Sequence, residues 1–206
     1  TEEQFGWRVA AYCPRALRIL DTEDLHCLRK TRHEALKKGI EFSNEILLNS
    51  EISKREIAAI YRCDISLIIS TFEMNLLKEV FKIDKSLLYH LPFLFDKIDE
   101  NNSWKPYDER HHFVSIGNFL HAPNLDATIQ LKKHIWKEIR KRIPGVELHV
   151  YGAYPTQQVL EFTNANEGFF VHGFVEDAFE VLKNSRLLLA PLRFGAGIKG
   201  KLSNAM

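Results

Sequence analysis

Short apolar runs alternate along the chain with segments of helical periodicity, and this alternation constrains the fold more than any other feature. Residues 65–69, Ile-Ser-Leu-Ile-Ile, form a nearly continuous apolar run, which is typical of a strand buried on both faces. Strands are predicted at residues 16–20, 65–69, 87–91, 112–116, 146–151, 169–172 and 187–190. Helices are predicted at residues 2–12, 25–38, 51–62, 71–82, 123–141, 156–163 and 176–183. Strands and helices in alternation indicate parallel α/β layers, so the predicted fold class is α/β.

The alternation lapses once, in a polar connection rich in proline, aspartate and asparagine. We place a domain boundary there, with residues 1–95 as a first lobe, 96–110 as a linker and 111–206 as a second lobe. The strands of the second lobe end at glycine or proline turns, which are Gly117, Gly152, Gly173 and Pro191. Because open α/β sheets bind ligands outside the carboxyl ends of their strands, we expect the binding site at these turns.

Composition and charge exclude several classes of protein. Apolar residues make up 45% and charged residues 27% of the 206 positions, a balance typical of a folded domain. With a net charge of +1, the chain lacks the excess of basic residues that is typical of a nucleic-acid-binding protein. The apolar runs are far shorter than the roughly 20 residues of a transmembrane helix. Cys13, Cys27 and Cys63 have no C-x-x-C spacing, so we predict reduced thiols in a cytoplasmic protein.

A glycine-rich loop with basic residues follows the last predicted strand. Gly195-Ala-Gly-Ile-Lys-Gly-Lys201 fits the first seven positions of a P-loop, but the eighth is Leu202 instead of a magnesium-binding Ser or Thr. Glycines let backbone N–H groups approach an anion, and Lys and Arg side chains bind phosphate directly. Together with Arg193, the loop therefore indicates an anion site. The alternative is a tight strand-to-helix turn that needs glycine only for its backbone angles.

Two further groups of polar residues are candidates for chemistry. The densest ionisable group at the carboxyl end of a predicted strand consists of Asp21, Glu23, Asp24 and His26. These residues are candidates for catalysis or for substrate contact. The alternative for one or two of them is that they only cap the helix that follows. The nine histidines show no metal-ligand spacing on any predicted helix, and His111 and His112 are expected on opposite faces of a strand. No metal site is predicted.

Four motifs of the second lobe resemble one known family. They are residues 117–124 (GNFLHAPN), 150–152 (VYG), 171–175 (VHGFV) and 191–206 (PLRFGAGIKGKLSNAM). In this order they are similar to the C-terminal half of GT-B glycosyltransferases of family 4, the glycosyl transferases group 1, over residues 107–206. The first lobe resembles the second half of the GT-B N-terminal domain, in residues 21–26 and in a strand that ends in Ser70-x-x-Glu73.

The resemblance implies two Rossmann-like lobes that face each other across a cleft. It implies transfer of a sugar from a nucleotide-sugar donor to a hydroxyl of an unknown sugar, lipid or protein acceptor, with retained configuration and with neither a metal nor another cofactor. The implied catalytic and acceptor-side residues are Asp21, Glu23, Asp24 and His26. The implied donor-binding residues are Gly117, Asn118, Gly152, Gly173, Phe174, Val175, Arg193, Gly195, Ala196, Gly197, Ile198, Lys199, Lys201 and Asn204.

Three positions depart from the family pattern. The two family glutamates fall at Ala196 and Asn204, and a family basic residue falls at Asn118. An asparagine can still bond a ribose hydroxyl, whereas alanine cannot contact sugar hydroxyls. A catalytically inactive GT-B-like binding module and a P-loop nucleotide-binding protein are therefore the alternatives. Because the chain starts without Met and stops soon after the glycine loop, we expect an internal fragment with two incomplete lobes, whose open sheet edges favour self-association.

Overall fold

The protein divides into two compact units. The computed structural model describes residues 2–95, 97 and 105–206. One unit comprises Thr1–Asp96 with Phe194–Ile198, and the other comprises Lys97–Arg193 with Lys199–Met206. The linker predicted at residues 96–110 lies partly outside the described residues. Within the glycine loop, Phe194–Ile198 groups with the first unit, although the sequence boundary placed it in the second lobe.

The first unit is a three-stranded parallel sheet with helices on its connections. Its strands are β1 (Ile19–Asp21), β2 (Ile65–Ile68) and β3 (Leu88–His90), in the order β1-β2-β3. Its helices are α1 (Glu2–Tyr12), α2 (His26–Lys38), α3 (Asn44–Asn49), α4 (Glu51–Arg62) and α5 (Thr71–Asn75), which a π-helical turn continues through Leu76–Val80. A 3-10 turn at Lys85–Leu87 precedes β3. Leu25, Leu28, Leu47, Ile60, Ile68 and Leu77, each at most 1% exposed, form its core.

β1 starts three residues later than predicted. The strand was expected at residues 16–20, but pairing with β2 begins at Ile19, opposite Ile65. Just before it, the Arg18 amide donates to the Asp64 carboxylate at 2.7 Å, and the Arg18 guanidinium bonds the same side chain. Within the predicted strand, Arg18 therefore bonds the Asp64 side chain and is not part of the pairing between β1 and β2.

Helix α2 is not capped by the acidic residues that precede it. Its N-cap is Leu25, and no side-chain hydrogen bond caps it from that position. Instead, the Glu56 carboxylate of α4 accepts from the amides of His26 at 3.0 Å and Cys27 at 2.7 Å. A carboxylate at a helix N-terminus satisfies free amides and complements the helix dipole. The sequence predicted that acidic residues of the loop after β1 would cap this helix. Glu56, which lies 30 positions after His26, does so instead.

The second unit is a four-stranded parallel sheet. Its strands are β4 (His111–Ile116), β5 (Leu148–Tyr151), β6 (Phe169–Gly173) and β7 (Ser185–Leu188), in the order β6-β5-β4-β7. Its helices are α6 (Ala122–Gln130), α7 (Trp136–Arg142), α8 (Gln157–Leu160), α9 (Ala178–Asn184) and α10 (Gly200–Asn204), with a π-helical turn at Leu131–Ile135 and 3-10 turns at Tyr107–Glu109 and Ala165–Glu167. Counted from β4, this is the order 3-2-1-4 of a doubly wound sheet.

The core of the second unit is built around Trp136. Its side chain is 2% exposed, makes edge contacts with Phe113 and Phe169, and donates to the Glu167 carbonyl at 2.7 Å. α6, the π-helical turn and α7 form the single helix predicted at residues 123–141. β7 begins two residues before the prediction, because Ser185 already pairs with His111. The predicted α/β class with parallel sheets is confirmed. No helix in the described part of the chain is both long enough and apolar enough to cross a bilayer.

Candidate functional site

Two predicted glycine turns lie together at the carboxyl ends of β4 and β5. A Cβ atom on Gly152 would lie 2.1 Å from the Gly117 carbonyl oxygen, and one on Gly117 would lie 2.5 Å from the Asn124 side chain and 2.7 Å from Lys201 Nζ. Real Cβ atoms essentially never show contacts this short. Gly152 faces a backbone atom and therefore requires glycine, whereas a side chain at Gly117 would displace the ends of the Asn124 and Lys201 side chains. The absent side chains let the Lys201 ammonium approach the backbone of the β4 turn.

Lys201 is the central cation of this turn. Its Nζ donates to Asn124 Oδ1 at 2.7 Å, while Asn124 Nδ2 donates to the Asn118 carbonyl at 2.9 Å. Among the described residues, no carboxylate forms an ion pair with Lys201. Burial, and then the charge of Lys199, lower the pKa of Lys201 from 10.5 to about 8. We call Gly117, Asn118, Asn124, Gly152 and Lys201 the lysine turn.

The other predicted donor residues of the second unit lie in different settings. Asn118 uses its side-chain oxygen to accept from the Leu120 amide at 2.8 Å, so it shapes the turn. Arg193 forms a two-point ion pair with Asp126 of α6, with Nε 2.9 Å from Oδ2, and this partner raises the pKa of Arg193. Lys199 is the N-cap of α10, and Asn204 is exposed at the end of that helix.

The turn after β6 continues the same edge of the sheet. Gly173 adopts a φ of 77°, and its carbonyl accepts from the Gly152 amide at 2.7 Å. Phe174 is 71% exposed, and Val175 is half-buried. Gly117 and Gly152 therefore follow β4 and β5, and Gly173 ends β6, so the three glycines lie at the carboxyl ends of neighbouring strands.

The first part of the glycine loop packs into the first unit. Phe194 stacks on His33 with ring centroids 4.1 Å apart, and the Gly195 carbonyl accepts from Arg32 at 2.8 Å. Ala196 is 6% exposed and belongs to the apolar core of that unit. Ile198, the last residue of the segment, is exposed. The loop backbone is thus fixed by side chains of α2 and by core packing.

Glu73 holds this loop segment and the start of α2 at the same time. Its Oε1 accepts from the Gly197 amide at 2.8 Å and from the Leu25 amide at 3.0 Å. The side chain is fully buried, and Oε2 has no hydrogen-bond partner within the described part of the chain. The Glu73 amide donates to the Ser70 hydroxyl at 3.1 Å, so Ser70 caps the start of α5.

The Gly197 amide therefore points to a carboxylate and not to an anionic ligand. Gly197 has a φ of 64°, and a Cβ there would lie 2.9 Å from Asp24 Cβ. The amides of Gly195, Ala196 and Gly197 were expected to receive a phosphate, but the Gly197 N–H is already committed. The sequence does not show this hydrogen bond, because Glu73 and Gly197 are 124 residues apart along the chain.

The acidic group after β1 is gathered at the carboxyl end of that strand. Asp24 pairs with Arg29, with Nε 2.8 Å from Oδ2, and lies 3.4 Å from His26 Nε2. Asp21 accepts from the Glu23 amide at 3.1 Å, and Glu23 has a φ of 55°. Asp21, Glu23 and His26 are exposed. They line one side of a groove of about 410 Å³ whose other side is formed by α4.

A histidine cluster that the sequence did not predict lies on β4 and β5. His112 and His149 both contact the Glu147 carboxylate, and His149 contacts His172 of β6. Burial and the neighbouring His149 lower the pKa values of His112 and His172. The sequence signal was the Glu147-x-His149 spacing, which places both side chains on one face of a strand. Metal-ligand spacing had been sought only on helices.

A comparison with protein families matches the C-terminal part of the chain. Residues 110–206 match the family described as glycosyl transferases group 1, which confirms over these residues the resemblance seen in the motifs. No curated protein matches the chain significantly. A solved structure of TarM gives a TM-score of 0.49, and one of an S. aureus TarM variant in complex with fondaparinux, alpha-GlcNAc-glycerol and UDP gives a TM-score of 0.48, both at 13% identity. Each covers 68% of this chain and 27% of TarM.

The lipopolysaccharide outer core galactosyltransferase WaaB in its apo form gives a TM-score of 0.41 at 14% identity. That alignment covers 90% of this chain and 52% of WaaB. The chain therefore spans about a quarter of TarM and about half of WaaB.

Proposed function

Because residues 110–206 match the glycosyl transferases group 1, we propose that the chain is part of a retaining glycosyltransferase that uses a nucleotide-sugar donor. The observation that carries the proposal is Lys201, a partly buried lysine at the carboxyl end of a parallel sheet. Burying an ammonium is costly unless an opposite charge compensates it. A donor diphosphate supplies that charge at the end of the sheet where α/β folds bind ligands.

In this proposal the lysine turn holds the diphosphate. The Gly117 and Gly152 positions leave room for Lys201 to reach a phosphate oxygen close to the β4 backbone. As the bond between the sugar and the diphosphate breaks, negative charge grows on the leaving phosphate, and a preorganised ammonium stabilises it. The anomeric carbon of the sugar forms its new bond to the oxygen of the acceptor hydroxyl, and the proton of that hydroxyl passes to the oxygen of the leaving diphosphate.

The remaining donor contacts are assigned by position. Lys199 precedes α10 and adds a second positive charge near Lys201, as its effect on the pKa of Lys201 indicates. The turn Gly173–Val175 would receive the base, and Asn204 would bond a ribose hydroxyl. Arg193 contributes only after exchanging Asp126 for phosphate, because the two are paired in this structure.

The acidic group after β1 is proposed to serve the acceptor and the donor sugar. Glu23 and Asp21 have exposed carboxylates beside the groove, whereas Asp24 is held by Arg29. We therefore assign substrate contact to Asp21, Glu23 and His26, and we assign Asp24 to positioning of the loop. No step of this proposal uses a metal.

One observation favours an inactive binding module instead. Ala196 stands where the family has a glutamate that contacts the donor sugar, and it is buried in an apolar core. A P-loop is disfavoured, because the Gly197 amide donates to Glu73 and the side chain at the magnesium position is Leu202.

The test is ligand-observed NMR of the chain with UDP, GDP, ADP and dTDP, and with ATP in the presence and absence of magnesium. We expect metal-independent binding of one diphosphate. Lys201→Met should weaken it by about 10- to 100-fold, the effect of losing one charge-assisted hydrogen bond. Lys133→Met, which removes an exposed lysine of the same unit, is the matched control.

The outcomes separate the three functions. Equal binding by the wild type and Lys201→Met would refute the lysine turn as the diphosphate site. Binding of ATP only with magnesium would favour the P-loop. Diphosphate binding without release of sugar from the matching nucleotide sugar, in the presence of simple glycoside acceptors, would favour the inactive module.

A further inference from the structure

Three side chains of the second unit converge at the opposite end of the sheet from the lysine turn. His112 lies near the start of β4, Glu147 directly precedes β5, and His149 is its second residue. One potential ligand atom from each of these side chains lies within 4.8 Å of the others. Since β4 and β5 are parallel and pair Phe113 with Leu148, these residues are neighbours at the amino ends of the strands.

The Glu147 carboxylate is the centre of the group. Its Oε2 lies 3.1 Å from His112 Nδ1 and 3.1 Å from His149 Nε2. Zinc binds imidazole nitrogen at about 2.0–2.1 Å and carboxylate oxygen at about 2.0–2.2 Å. Two such ligand atoms 3.1 Å apart subtend an angle of about 100° at the ion. This is close to tetrahedral geometry for the two contacts of the carboxylate, and the atoms of all three side chains lie within 4.8 Å of one another.

His172 is a hydrogen-bond partner of the His149 imidazole, on the ring nitrogen that faces away from Glu147. His149 Nδ1 lies 2.7 Å from His172 Nε2, and the His172 ring stacks on Tyr151 with centroids 4.7 Å apart. Histidines that bind metal use their other ring nitrogen to donate to a hydrogen-bond acceptor, which fixes their orientation, and His172 Nε2 is placed to be that acceptor. With an ion on Nε2, His149 carries its hydrogen on Nδ1 and donates it to His172.

Solvent reaches the three side chains. The side chains of His112, Glu147 and His149 are 46%, 36% and 18% exposed, which leaves a path for the ion and a place for a water ligand.

We propose that His112, Glu147 and His149 form a zinc site with a fourth position open to water, and that His172 orients His149. Two imidazoles and one carboxylate suit zinc better than magnesium or calcium, which prefer all-oxygen ligands. The ion would join the starts of β4 and β5 and stabilise the second unit. The site is independent of the proposed sugar transfer, since it lies away from the carboxyl ends of the strands.

The experiment is a titration of the 206-residue chain with Co²⁺, followed by its visible absorption, and then competition with Zn²⁺. We expect one ion per chain, displacement of Co²⁺ by Zn²⁺, and a rise of the unfolding temperature that saturates at one equivalent. Glu147→Gln and His149→Gln should lower affinity at least about tenfold. His172→Phe keeps the stacking but removes the acceptor, and should lower affinity by about 10- to 100-fold.

His134→Gln, at an exposed histidine outside the cluster, is the matched control and should bind like the wild type. The unfolding temperature of each metal-free variant shows whether it is folded, and His172→Phe keeps all three ligands if a ligand variant unfolds. The proposal is overturned if the wild type binds no Co²⁺ at about 100 μM, if Glu147→Gln binds as tightly as the wild type, or if His134→Gln loses as much affinity as the ligand variants.

Discussion

Replacing Lys201 by methionine should change how the stability of the protein depends on pH. In the folded chain the pKa of Lys201 is lowered from 10.5 to about 8, first by burial and then by Lys199. At roughly 1.4 kcal/mol per pH unit, this difference corresponds to about 3 kcal/mol. Because solvent still reaches the side chain, we expect about 1–2 kcal/mol.

The sign follows from the protons bound by each state. Between pH 8 and 10.5 the unfolded chain holds the Lys201 proton more tightly than the folded chain, so the free energy of unfolding rises with pH in this window. Below pH 8 both states are protonated, and the folded state carries the full cost of the buried charge. The methionine variant lacks this cost, but it also loses the hydrogen bond to Asn124, worth about 1 kcal/mol.

The assay is urea unfolding of the wild type and Lys201→Met at intervals from pH 7 to pH 10.5. The difference between the two free energies of unfolding cancels the titration of other groups. It should move by about 1–2 kcal/mol in favour of the wild type as the pH rises through this window. Lys133→Met should give a flat difference. A flat difference for Lys201→Met as well would refute the lowered pKa and, with it, the argument that an anion is needed there.

Three further predictions concern packing, the loop and the thiols. Glu73→Ala should lower the free energy of unfolding by about 3 kcal/mol, because the buried Leu25 amide and the partly buried Gly197 amide lose their acceptor, and an unchanged urea midpoint would contradict this. Gly152→Ala should lower both the unfolding temperature and diphosphate affinity, since its Cβ would strike the Gly117 carbonyl; wild-type affinity would contradict the close packing of the turns. In the native protein iodoacetamide should label Cys13, which is exposed, before Cys27, which is buried and whose pKa burial raises; mass mapping of the alkylated peptides checks the order.

Most of the fold could be predicted from local patterns. Apolar runs located the seven strands of the described residues, and helical periodicity located the long helices, but the short helix α3 was not predicted. The errors in the strands fall at their ends: β1 and β5 start later than predicted and β7 starts earlier, because pairing partners decide the first residue. The start of α2 shows the same limit, because Glu56 of α4 replaces the nearby acidic residues as its cap.

The sequence alone determined the α/β class, the glycines at the carboxyl ends of β4, β5 and β6, and the basic loop, because glycine positions and apolar periodicity can be read locally along the chain. Only the tertiary structure decided what these residues do. It buried Lys201 against Gly117, committed the Gly197 amide to Glu73, and gathered His112, Glu147 and His149 from two strands. Burial and hydrogen-bond partners depend on contacts between residues far apart in sequence, and those contacts exist only after the chain has folded.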